Sequence, residues 1–80
     1  MRLDKFLKVS RVIKRRSVAN EACSSSHVKV NGKAAKPSYD LKLGDLVEIT
    51  FGDNVLKFEV LLLSEHMPKE KTGTMYKIIH

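Results

Sequence analysis

Leu3, Phe6 and Leu7 recur at i, i+3 and i+4, which stacks them on one side of a helix, while Arg2, Lys5 and Lys8 recur every three residues on another. Residues 2 to about 9 are therefore predicted to form a short amphipathic helix. Asp4 stands four residues before Lys8, the orientation that favours a helical ion pair. The run from Arg11 to Arg16 has only Val12 and Ile13 as apolar anchors and reads as a connector. Ser17 offers the hydroxyl of a helix cap. Val18, Ala19, Ala22 and Cys23 then form a second apolar stripe that ends at Ser24, Ser25 and Ser26.

Beyond Ser26 the period changes from helical to two. Val28 and Val30 flank Lys29 and run into Asn31-Gly32, a dipeptide suited to the positive φ values of a tight hairpin. Pro37 restricts residues 33–38, Leu41 and Leu43 alternate, and Gly44-Asp45 marks another turn. Val47, Ile49 and Phe51 alternate with Leu46, Glu48 and Thr50, and Gly52-Asp53-Asn54 reverses the chain. Leu56, Phe58, Val60 and Leu62 then alternate on the return. Residues 66–73, broken by Pro68, are predicted as a loop, and Met75 to Ile79 as a last strand. The whole reads as an α+β fold: two short N-terminal helices followed by a small, mainly antiparallel sheet.

Eighty residues, 42% of them hydrophobic, support one small core, so residues 1–80 are expected to form a single domain. No 18-residue apolar run offers a membrane-spanning helix, and no apolar stretch has signal-peptide length. The one cysteine, Cys23, has no partner for an internal disulfide. A cytoplasmic protein without a membrane partner, monomeric when free, is the expectation.

Charge changes the picture most. Seven of the fifteen Lys and Arg (Arg2, Lys5, Lys8, Arg11, Lys14, Arg15 and Arg16) fall in the first sixteen residues, opposed there by Asp4 alone. The remaining 64 residues hold eight cations and eight carboxylates, so the entire net charge of +6 resides at one end. Such polarisation is the footprint of a binder of polyanions, with nucleic acid the leading partner. Those seven cations are candidate phosphate contacts. Arg16 stands out, because the macrodipole disfavours a cation at a helix N-terminus, and its placement there points to an external anion. Asp4 is read as orienting these side chains. Lys29, Asn31 and Lys33, around the hairpin tip, form a second candidate RNA patch, although Asn31-Gly32 is also simply a good turn. Tyr39 has a ring that can stack on a base but reads first as a packing residue.

Catalysis finds little support. His27, His66 and His80 lie far apart without a neighbouring nucleophile, and one cysteine with no Cys or His at ligand spacing makes no metal site. Cys23 falls on an apolar stripe and reads as a small core residue. Phosphate-binding and dinucleotide glycine motifs are absent. No cofactor, no metal and no enzymatic activity are expected.

Four pieces in order carry a resemblance: Arg2-Leu3-Asp4-Lys5-Phe6-Leu7, then Lys14-Arg15-Arg16, then His27-Val28-Lys29-Val30-Asn31-Gly32-Lys33, and Leu43-Gly44-Asp45. Together they resemble, over roughly residues 1–52, the RNA-binding domain named after small-subunit ribosomal protein S-four. Residues 53–80 would extend it with C-terminal strands. The size and the opening residues are similar to the RqcP family of bacterial ribosome-associated quality-control factors, relatives of the heat-shock protein fifteen family. That resemblance implies binding to large ribosomal subunits obstructed by peptidyl-tRNA, contact with ribosomal RNA and tRNA, and assistance to RqcH in adding C-terminal alanine tails. Two positions depart from the pattern: Ser26-His27 stands where a glycine is usual, and Leu43 where proline is common. The alternatives are a recycling factor of the heat-shock protein fifteen type, a helix-turn-helix DNA-binding regulator, and the detached RNA-binding module of a modification enzyme. Against the regulator, the second helix offers mostly Val, Ala, Asn, Glu and Ser as base readers.

Overall fold

Leu3, Phe6 and Leu7 are fully buried, and the helix they build, α1, runs Leu3–Val9. The computed structural model describes residues 1–25 and 27–79, with Arg16 described by its backbone alone. The side chain of Arg16, the helix exit at Ser26 and His80 therefore lie outside the described residues. Helix α1 has no side-chain cap at Arg2. Its first free N–H groups are instead taken by a neighbouring loop: Leu3 N donates to Tyr39 O at 2.8 Å and Asp4 N to Pro37 O at 3.1 Å. The Met1 ammonium meets Asp40 Oδ1 at 2.7 Å, and the Arg2 and Asp40 backbones form an isolated antiparallel β-bridge, so residues 1–4 are strapped along residues 37–41.

Helix α2 spans Arg16–Ser24. Ser17 does not cap it: Arg15, extended at φ −116°, occupies the cap position without a side-chain bond, and Ser17 lies inside the first turn. The apolar stripe is also narrower than its sequence. Ala19 and Cys23, four residues apart, are buried, whereas Val18 lies a helical step away and is 46% exposed. At the far end His27 N donates to Ala22 O at 3.0 Å, a bond that turns the chain into the sheet.

Five antiparallel strands follow: β1 (Val28–Val30), β2 (Lys33–Ala34), β3 (Leu46–Phe51), β4 (Asn54–Val60) and β5 (Tyr76–Ile78), ordered β2-β1-β3-β4-β5. The α+β fold read from the sequence is the one observed. Asn31 (φ +53°) and Gly32 (φ +85°) form the two-residue link between Val30 and Lys33, the paired positive φ values that match strand twist. Residues 41–43 make no strand. Leu41 is buried, but Leu43 is 64% exposed beside a corner where Gly44 adopts φ +86°. Asp45 closes that corner by accepting Lys42 N at 3.0 Å through Oδ2. The loop after Pro68 contains a 3₁₀ turn, Lys69–Thr74, that leads into β5.

The core lies between the helices and one sheet face. Phe6 stacks on Phe58 with ring centroids 6.1 Å apart, and Tyr76 tilts against Phe58 at 5.3 Å. Val28, Val30, Val47, Ile49 and Val60 fill the same layer. The other sheet face carries charged rows in register. Lys29 faces Glu48, which faces Lys57, and Glu59 faces Lys77. Opposite charges across strands are favourable, so this face, with three lysines against two glutamates, comes close to balance.

Candidate RNA interface

Because α1 begins at Leu3, Arg2 and Asp4 sit at its first turn, where Asp4 is drawn inward and is 2% exposed. Its carboxylate accepts Arg2 Nε (3.1 Å) and Nη2 (3.3 Å), the backbone N–H of Lys5 (2.8 Å) and Asn20 Nδ2 (3.5 Å). A two-point carboxylate grip fixes the plane of a guanidinium, and the Arg2 side chain remains half exposed. Arg2 is thus held at the surface in one orientation. Asn20 connects this grip to α2, sixteen residues away, a contact with no signal in the sequence.

The other N-terminal cations spread along α1 and its corner. Lys5 is half-buried, with its ammonium 3.9 Å from Glu65 Oε1. Lys8, Arg11 and Lys14 are exposed and line one cleft of about 430 Å³ with Val9 and residues 65–68. Arg15 is exposed at the start of α2, and Arg16 is the first residue of that helix. No acidic residue occupies the first turn of α2 and no side chain caps it, so the helix itself supplies nothing to offset its partial positive charge. A groove of about 610 Å³ beside Arg2 is edged by Asn20, Lys36 and Ser38 and floored by Cys23, Ala35 and Pro37.

The second patch divides. Lys29 points from the outer sheet face, away from the helical layer, and is opposed by Glu48. Asn31 engages the fold with both ends of its amide: Nδ2 donates to Asp45 Oδ1 at 3.1 Å, and Oδ1 accepts Leu46 N at 3.0 Å. Lys33 is exposed and shares a groove of about 470 Å³ with Asn31 and the partly exposed Tyr39. The structure therefore gathers Arg2 with Asn20 and Lys36, Lys8 with Arg11 and Lys14, and Lys33 with Tyr39, and it separates Lys29 from all of them. Asn20, Lys36 and His66 were not singled out in the sequence as interface residues, because each joins through contacts across the fold.

Among the described residues no group of three His, Cys, Asp or Glu is placed to hold a metal ion. Cys23 is buried, and burial, helped by the charge of Asp4, pushes its thiol up to about 11. It is a neutral thiol at physiological pH and a poor nucleophile.

The S4 domain profile matches residues 1–47. The chain is 53% identical to the RQC P-site tRNA stabilizing factor of Streptococcus pneumoniae over 79 residues, covering 99% of this chain and 90% of that protein. The chain belongs to the family of RQC P-site tRNA stabilizing factors. Within this S4-domain family its backbone is also similar to a solved structure of Vibrio cholerae heat shock protein 15, described as trimeric. The TM-score is 0.91 at 26% identity, over 99% of this chain and 81% of that one. A heat shock protein 15 homolog of Aeromonas salmonicida is 34% identical over 81% of this chain but only 49% of its own length. The family expected from the N-terminal pieces, and its relation to heat-shock protein fifteen, are thus found.

Proposed function

We propose that this protein is a non-catalytic adaptor that binds RNA on large ribosomal subunits obstructed by peptidyl-tRNA, contacting large-subunit ribosomal RNA and the tRNA together. In this role it assists RqcH in adding C-terminal alanine tails to the stalled chain, works in the cytoplasm on the ribosome, and is a monomer when free. The observation that carries this reading is the 53% identity, along nearly the whole chain, to a factor named for stabilizing P-site tRNA. The geometry supports it. A rigidly held Arg2, an uncapped α2 N-terminus and the cations around them offer the phosphate-directed surface that structured RNA requires. Residues 1–80 act as one RNA-binding unit, with the strands after residue 52 completing the sheet. In the RNA contacts Arg2, Lys5, Lys8, Arg11, Lys14, Arg15, Arg16 and Lys33 meet phosphates, Asp4 orients Arg2, and Asn31 shapes the hairpin tip. Lys29 contributes less, because Glu48 faces it.

The test is a stalled reporter in a bacterium that encodes this protein, read by mass spectrometry. Deletion should abolish alanine tails. Re-expression with Arg2, Lys14, Arg15 and Arg16 neutralised should fail to restore them. Undiminished tails after deletion would refute the role and leave a subunit-recycling factor of the heat-shock protein fifteen type as the better reading.

A further inference from the structure

We propose that the cleft between the α1–α2 corner and residues 65–68 is a distinct phosphodiester-binding subsite for RNA, to which the C-terminal part of the chain contributes. The inference rests on the RNA-binding reading above and locates a second point of backbone contact, separate from the Asp4-held Arg2. Lys8, Arg11 and Lys14 from α1 and the corner line this cleft together with His66 from the C-terminal part of the chain. Among the described residues, none of those three cations has a carboxylate within ion-pair distance. Glu65 also lines the cleft, but its Oε1 lies 3.9 Å from Lys5 Nζ, and the lining sets three Lys and Arg against that one carboxylate. The other walls are Val9, Met67 and Pro68, so the lining holds no Phe, Tyr or Trp and His66 is its one ring. Three cations beside a single imidazole suit the sugar-phosphate backbone better than a nucleobase.

The corner also ends α1 in a left-handed conformation that helices usually give to glycine. Arg11 adopts φ +62°, a left-handed conformation that residues other than glycine, asparagine and aspartate seldom enter. It is pinned there on both sides: Arg11 N donates to Lys8 O at 3.1 Å, Ile13 N to Leu7 O at 3.1 Å, and Ser10 Oγ to Leu7 O at 3.3 Å. Ile13 is buried, so the corner cannot drift. The Arg11 side chain is exposed. Glycine would turn this corner with less strain, and the cation is what an arginine adds. Strained backbone held by its surroundings tends to mark places where a side chain must be presented. Residues 65–68 lie beyond the 1–47 segment matched by the S4 profile, so that segment alone does not form the cleft.

The test uses the full chain and unacylated tRNA as the probe, with affinity measured by fluorescence anisotropy from low to physiological salt. Glu65→Gln removes the one carboxylate of the lining and should tighten binding about two- to fivefold, as expected for one weakly screened surface charge. His66→Ala should weaken it about two- to tenfold, as for a lost hydrogen bond. Lys14→Gln should reduce the magnitude of the log-log salt slope by about 0.7–0.9, one phosphate contact. Lys57→Gln, on the outer sheet face, should leave the slope unchanged. Unfolding cannot mimic a gain in affinity, so Glu65→Gln protects the result against a folding artefact. If the parent binds tRNA with a steep salt dependence while Glu65→Gln, His66→Ala and Lys14→Gln all bind as it does, the cleft is not a subsite and only this inference falls. If the parent shows no salt-dependent binding, the RNA-binding reading falls with it.

Discussion

Arg11→Gly and Arg11→Ala, compared with each other, measure the backbone of the α1–α2 corner. An L-residue in the left-handed region carries a penalty of about 1–2 kcal/mol that glycine escapes. Glycine loses in return about 0.4–1 kcal/mol through its more flexible unfolded chain. At φ +62° the balance favours glycine, by about 1 kcal/mol over alanine. Because Arg11 is exposed, alanine should match the parent within about 0.5 kcal/mol. The expected stability order is glycine above arginine and alanine, with a melting temperature about 4–8 °C higher for glycine than for alanine in a domain of this size. Urea and thermal melts followed by circular dichroism read this directly. Both variants should lose the same amount of RNA affinity, so the glycine variant would be the more stable and the weaker binder at once. An alanine variant as stable as the glycine variant would refute the reasoning, because ordinary backbone favours alanine.

Asp4→Asn removes the charge that grips Arg2. It should cost about 1–3 kcal/mol of stability and weaken RNA binding by no more than Arg2→Gln does, and an Asp4→Asn variant that binds RNA as the parent does would deny Asp4 its orienting role. Cys23 has a folded-state pKa raised from 9.0 to about 11, so the native state keeps a proton that the unfolded state releases. The stabilisation this gives is complete below pH 9 and is lost as pH rises towards 11. Cys23→Ala should flatten that part of the stability profile, and the native thiol should resist iodoacetamide at pH 8 until urea unfolds the chain.

The order of elements was legible because its signals are local. The 3, 4 spacing of Leu3, Phe6 and Leu7, the period-two run from Val47 to Val60 and the Asn31-Gly32 link each specify their own geometry without help from elsewhere. Misreadings came where the fold decides between equivalent local choices. Ser17 had the chemistry of a cap, but α2 started a residue or two earlier and left its hydroxyl inside the first turn. Leu43 alternated with Leu41 and still went to solvent, because the corner at Gly44 breaks the strand. The charge cluster was evident from composition, whereas its division into Arg2 beside Asn20 and Lys8, Arg11 and Lys14 beside His66 was not. Those groupings depend on where α2 and residues 65–68 come to rest, and sequence spacing says nothing about either.

The nearly balanced rows on the outer sheet face bear on how the molecule arrives at its target. At physiological ionic strength a charge is felt over about 8 Å, a distance shorter than the 22 Å thickness of the molecule. A polyanion approached sheet-first would therefore meet Lys29, Glu48 and Lys57 as a nearly neutral wall, with the distant cations screened from view. Approached helix-first, it would meet an unbalanced field at full strength. Encounters in the wrong orientation exert little pull and separate, while those in the right one are captured within the last nanometre. The quiet face thus acts as a filter on collisions, selecting the direction of landing without touching the target.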